Sequence, residues 1–338
     1  MRLTIAVILI STLAFSCKNG KNIPDVSNIK IDITTERFDK DLFAIDSNNF
    51  AEGYQRLETK DPFFSNFFIG RTLNLDPTWP RDTVLGYVAQ FTNAYRPVYD
   101  SAALVFNDFS TYENDIKQAS QFLKYYFPAY PIPSKIITYI GPLDGDGDFL
   151  ATGEAFLVGL QVHMGRNYSM YKTSFVSETY PGYVTYGFEP SYIVVNYVKD
   201  AMNDLYPEKE DDRPMIDQMI DKGKRLYVLS KLLPYTEEYK LIGYTEKQLK
   251  DCYDHEAVVW SMFIQNGTLQ ATDKDVIKTY LGPSPKTVEL GEDAPGNIGS
   301  FAGWQIIKKY MSNNPTKTLP QLMATDAEVI FQETKYKP

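Results

Sequence analysis

His163 and His255 are the two histidines in this chain of 338 residues, so any imidazole-based metal or acid–base site must be built on them. Catalytic zinc takes three protein ligands and an open position, and its strongest sequence form places two histidines at i and i+4 of a helix as H-E-x-x-H. His255-Glu256-Ala257-Val258-Val259 begins in that way, but Val259 stands where the second ligand belongs. The segment therefore reads as part of a packed helix. No G-x-S-x-G or G-x-x-x-x-G-K-[ST] occurs, and Gly145-Asp146-Gly147 lacks the later glycine of a dinucleotide loop, which argues against serine-hydrolase and nucleotide chemistry. A metal-dependent hydrolase assembled from His163, His255 and a carboxylate distant in sequence stays open.

Asp144-Gly145-Asp146-Gly147-Asp148 places carboxylates at alternate positions, which suits a hard cation such as calcium. An EF-hand loop would also need Gly at its sixth position and Glu at its twelfth. This chain has Phe149 and Ala155 there, with Glu154 one place early. Asp144, Asp146 and Asp148 are thus candidate calcium ligands, with a solvated turn between strands as the other reading.

Cys17 is the third chemically marked residue. Met1-Arg2, an apolar run from Ile5 to Ile10, and Leu13-Ala14-Phe15-Ser16 before Cys17 make up an export signal, with an apolar core too short to span about 30 Å of hydrocarbon. The expectation is cleavage after residue 16 and attachment of lipid to the Cys17 thiol, since the segment resembles the bacterial lipobox apart from a loosely fitting Phe15. Each buried methylene contributes about 0.8 kcal/mol, so two or three acyl chains would anchor firmly. Lys18-Asn19-Gly20-Lys21 carries no acidic run, which favours the periplasmic face. The other cysteine, Cys252, then has no intramolecular disulfide partner.

The formal net charge is −9, and no Lys/Arg run offsets it locally, so nucleic acid is not an expected partner. With 43% hydrophobic and 14% aromatic residues, the chain can bury a large core. The expected layout is a signal peptide over 1–16, a lipid-attached tether over 17–28, and one globular domain over 29–338. Ile29, Ile31 and Ile33 alternate as in a strand, followed by a turn or short helix over 37–43. Residues 48–133 carry helical patterns, and 135–140 and 155–162 read as neighbouring strands. Further helices are expected at about 190–205, 212–233, 245–266, 272–281 and 297–313. Short strands bracketed by long helical runs indicate α+β, mostly helical with a small β-sheet. Gly299 and Gly303 form a smooth face four residues apart, which reads as a close helix-packing contact.

Several blocks together resemble the gliding-motility lipoprotein GldB family: Arg37-Phe38-Asp39 with Leu42-Phe43, the run from Gly153 to Tyr171, Met219 to Tyr227, Ile242-Gly243-Tyr244-Thr245, and Pro295-Gly296 with Gly303-Trp304-Gln305. The resemblance spans nearly the whole mature chain. It implies a periplasm-facing envelope lipoprotein needed for surface motility and associated with export of motility adhesins. Together with the missing catalytic motifs, it leads to the expectation of a non-catalytic scaffold that acts with other envelope or motility proteins and needs no cofactor. The family itself looks like a degenerate, zincin-like relative of zinc peptidases that carry H-E-x-x-H followed by Glu-Gly on the next helix. On that alignment Asn196 and Asp200 stand where the histidines would, Tyr197 replaces the general base, and Lys222-Gly223 replaces Glu-Gly. One amide, one carboxylate and one ammonium do not hold zinc at useful affinity. The other reading of 190–205 is a buried amphipathic helix.

Overall fold

A computed structural model describes residues 23–144, 149–151, 155–209 and 212–338. Cys17, Asp146 and Asp148 lie outside the described residues.

The sheet has four strands in the order β1-β2-β4-β3, with β1 Thr34–Arg37, β2 Lys135–Tyr139, β3 Phe149–Ala151 and β4 Ala155–Gly159. β1, β2 and β4 are parallel, and β3 is an antiparallel edge. The predicted strand over 29–33 is displaced: pairing begins only at Thr34, whose N–H donates to the Ser134 carbonyl at 3.1 Å. Pro131 and Pro133 precede that point and have no N–H to extend a ladder, so the chain before Thr34 has no strand to pair with. Ile29 and Ile31 pack against the core without pairing, and Ile33 is buried. β2 and β4 are almost wholly buried, as expected for parallel strands covered on both faces.

Between β1 and β2 run α1 Phe38–Phe43, α2 Phe50–Lys60, α3 Pro62–Phe67, α4 Arg81–Ala94, α5 Arg96–Val105 and α6 Ser110–Tyr126. The Arg37-Phe38-Asp39 block has a structural reason. Asp39, buried, accepts from both Nε and Nη2 of Arg37 at 2.9 and 2.7 Å and from Thr138 Oγ1 at 2.5 Å, while Arg37 Nη1 donates to the Phe106 carbonyl at 2.7 Å. One carboxylate thus fastens the start of α1 to the middle of β2, and its guanidinium partner reaches the end of α5.

After β4 come α7 Ser174–Thr179, α8 Gly182–Thr185, α9 Ile193–Leu205, α10 Met215–Leu232, α11 Glu238–Ile242, α12 Glu246–Asp254, α13 Glu256–Gln265, α14 Lys274–Leu281, α15 Ile298–Asn313, α16 Leu319–Ala324 and α17 Ala327–Thr334. The single helix expected over 245–266 is two. α12 opens on a reciprocal capping box between Thr245 and Gln248 and stops at His255, whose backbone leaves helical geometry. This corrects the reading of His255-Glu256 as part of a packed helix: His255 is exposed at the break, and Glu256 begins the next helix.

α15 is the centre of the second half, with every residue from Ile298 to Ile307 buried. α10 lies along it, and the two backbones meet where side chains are missing. A Cβ on Gly303 would come within 1.8 Å of the Met219 carbonyl oxygen, and one on Gly223 within 2.3 Å of the Gly303 carbonyl. Gly299 makes the next contact, against Leu281 and Tyr280 of α14. The packing role expected of Gly299 and Gly303 is what the structure contains. Among the described residues, no helix is long and apolar enough to cross a membrane.

Candidate functional site

β4 ends at Gly159, and a short turn over 160–162 carries the chain to His163. Side chains lock that turn: Tyr171 Oη donates to the Gln161 carbonyl at 2.6 Å and accepts the Met164 N–H at 3.0 Å, while Gln161 Oε1 accepts the Gly141 N–H at 2.9 Å. His163 is fully buried. Its Nδ1 lies 2.9 Å from the Gly159 carbonyl, which can only accept, so the proton sits on Nδ1 and Nε2 is left as an acceptor. Asn196, on α9, donates its side-chain amide to Nε2 at 3.3 Å. Burial pushes the imidazole down to about 4, with the Gly159 hydrogen bond opposing, so the ring is neutral at pH 7.

The other pseudo-site residues diverge from this pair. Tyr197 points into the core: its hydroxyl is 2.7 Å from Ser120 Oγ on α6, and its ring meets Phe156 edge-on at 4.2 Å. Desolvation raises its phenol far above the ordinary value, so it is no base at physiological pH. Asp200, half-buried, faces the Tyr130 side of α9; burial first, then the carboxylates of Asp204 and Asp200, push the Tyr130 phenol up. Lys222 turns the other way, toward a cleft between α9 and α10, and lies 3.8 Å from Glu208. His255 keeps its Nδ1 on the Asp251 carbonyl at 2.9 Å and makes no contact with His163. Among the described residues, no group of three or more His, Cys, Asp or Glu side chains is arranged to hold a metal ion. Asp144 is exposed in a turn, next to Leu143, whose N–H is held by Tyr95 Oη at 3.1 Å.

The cleft beside Lys222 was not anticipated. It consists of two recesses of about 310 and 250 Å³ that share Glu208, Lys222 and Arg225. Lys199 lines the larger recess and has no ion-pair partner among the described residues. The Lys199 side chain as a whole is exposed, while desolvation of its ammonium pushes it down to about 8, so it remains charged at pH 7. Arg225 donates to Asn203 Oδ1 at 2.9 Å and to the Tyr206 carbonyl, both neutral. Asp221, in the second recess, is already taken by Arg213 at 2.7 Å, Lys224 at 3.0 Å and Lys209 at 3.8 Å. Burial works to raise the Asp221 carboxyl, but Lys224, Arg213 and Lys209 outweigh it and hold it below the ordinary value. The sequence signal was present in Lys222 and Arg225, one turn apart, but Lys199 joins them only because α9 packs on α10.

The family described as gliding motility protein GldB matches residues 19–338. No curated protein and no solved structure matches the chain. A match over all but the first residues, with the glycine contacts and the Arg37–Asp39 clasp falling in the blocks that carried the resemblance, settles the lineage. The chain belongs to the GldB family of gliding-motility proteins.

Proposed function

We propose that this chain is a lipid-anchored protein of the periplasmic face of the cell envelope, serving gliding motility as a non-catalytic scaffold beside the machinery that exports motility adhesins. Its α+β body is read as a degenerate zincin-like peptidase in which Asn196 and Asp200 keep the i and i+4 spacing of lost metal ligands. The observation that carries the non-catalytic reading is the tie between Asn196 and His163. The one buried imidazole near α9 spends both nitrogens inside the fold, and burial drives it away from the pH range in which a general base works. Tyr197, in the place of the general base, is bound to Ser120 in the core.

Anchoring is tested at Cys17. Lipid attachment needs a thiol nucleophile, so Cys17→Ser leaves the protein unlipidated, releases it from the membrane fraction and impairs gliding. A Ser variant that still partitions fully with membranes after a salt wash contradicts the lipid anchor. The scaffold role is tested by crosslinking the native lipoprotein in its envelope: a reproducible set of motility or export proteins is expected, and recovery of the lipoprotein alone contradicts it.

A further inference from the structure

In a chain of net charge −9, the cleft between α9 and α10 concentrates the opposite sign. Lys199, Lys222 and Arg225 line the larger recess, and Lys209 and Arg213 continue the charge into the smaller one. Among the described residues, two carboxylates, Glu208 and Asp221, line the cleft against these five cations. Glu208 is the acid shared by both recesses, and it stands 3.8 Å from Lys222. Asp221 already serves three cations. Among the described residues, the guanidinium of Arg225 donates to the neutral oxygens of Asn203 and Tyr206, and burial lowers its proton affinity although the Glu208 and Asp221 carboxylates oppose that shift. Such charges are held at a cost in stability that an anionic occupant would offset.

The larger recess has an apolar floor: Met202, Leu229, Leu241 and Ile242, all buried, line it together with half-buried Leu226. Its far end is formed by Asn297 and Ser300 at the start of the 16-residue α15, where the helix dipole adds positive potential. A bare phosphate would leave the floor uncovered, and a flat bilayer surface does not enter a recess. An extended chain carrying carboxylates around apolar side chains satisfies both the walls and the floor.

We propose that the α9/α10 cleft is a docking site for an acidic peptide segment of a partner protein, its apolar side chains on the Leu226–Leu241 floor and its carboxylates on Lys199, Lys222 and Arg225. This rests on the scaffold reading above and names the surface by which a partner is held.

The test uses the detergent-solubilised full-length lipoprotein and a labelled eight-residue peptide with four carboxylates around two leucines. Binding is expected to saturate and to weaken about 10-fold or more as salt rises from about 0.05 to about 0.5 M. Replacing the peptide carboxylates by amides, or Lys199→Gln with Lys222→Gln in the protein, is expected to weaken it by about 10-fold as well. Lys199→Gln alone guards against a folding defect, because Lys199 has no ion pair to lose, and both variants should melt like the parent. The proposal is overturned if the peptide does not saturate, if its amide form binds equally, or if the lysine variants bind as well as the parent. It is also overturned if inorganic phosphate or phosphatidylglycerol vesicles bind where the peptide does not. Crosslinking separates the two levels. Motility partners retained by the double variant would remove the cleft but leave the scaffold, whereas the absence of partners from the parent protein would remove the scaffold itself.

Discussion

Gly303→Leu is expected to destabilise the protein by about 3 kcal/mol or more, at the upper end of overpacking costs. The first atom of any side chain at Gly303 would lie 1.8 Å from the Met219 carbonyl oxygen and 2.5 Å from its carbon, so α10 and α15 must part. Backbone cannot swing aside as the end of a side chain can. The informative variant is the smaller one. Alanine in a helix interior is ordinarily favoured over glycine by about 1 kcal/mol, yet Gly303→Ala should also destabilise, because the contact outweighs the propensity. Gly86 in α4 is the control, since nothing lies within 4 Å of a Cβ there and the residue is exposed. Gly86→Ala should be neutral or stabilise by about 0.5–1 kcal/mol. Chemical denaturation of the three variants checks the signs. A Gly303→Ala protein as stable as the parent would mean that the two helices do not approach this closely, and a Gly303→Leu protein that folds and accumulates normally yet abolishes gliding would move that face to a partner contact.

Acid should weaken the fold through His163, and the sign follows from where the proton goes. The unfolded ring binds its proton near pH 6.5, the folded ring near 4 because of burial. Between those values the unfolded chain holds the extra proton, so the stability contributed by the neutral buried ring is complete above pH 6.5 and is lost as pH falls toward 4. A separation of about 2.5 units corresponds to about 3 kcal/mol. Denaturation midpoints followed from pH 7 to pH 4 should therefore fall more steeply for the parent than for His163→Gln, which has no ring to protonate. Parallel pH profiles would mean that the ring reaches solvent. The Asn196 amide takes part in this, since it donates to the nitrogen that would have to accept the proton.

Which parts of this were legible in the sequence depends on how local their cause is. The Gly299/Gly303 face could be read because both residues lie on one helix and a spacing of four has a single geometric meaning. Its partner, Gly223, could not, since nothing local says that the glycine after Lys222 lies against Gly303. The α+β class follows from short apolar runs among helical ones, but the alternation at 29–33 points to a strand five residues before β1 begins. Alternation of Ile29, Ile31 and Ile33 reports burial of one face, whereas a strand also needs a partner, and Pro131 and Pro133 remove it. The helix break at His255 was hidden because apolar residues continue across it. For the candidate site, the register of Asn196 and Asp200 was visible, but the direction of each side chain was not. Tyr197 turned to Ser120, and Lys222 to a cleft whose third cation, Lys199, comes from another helix.

The central claim, that this GldB-family protein works through contacts and not through chemistry at the α9 pseudo-site, is tested most directly by gliding itself. In a strain lacking the native copy, the variant combining Asn196→Ala with Asp200→Ala should restore gliding speed to that of the parent gene at equal protein abundance. Both side chains are half-buried, and Asn196→Ala also withdraws the donor from His163 Nε2, so gliding is compared only where abundance and melting match the parent. A variant that accumulates and melts as the parent does but leaves cells immotile would contradict the account, because it would assign a reaction or a ligand to the two groups read here as remnants.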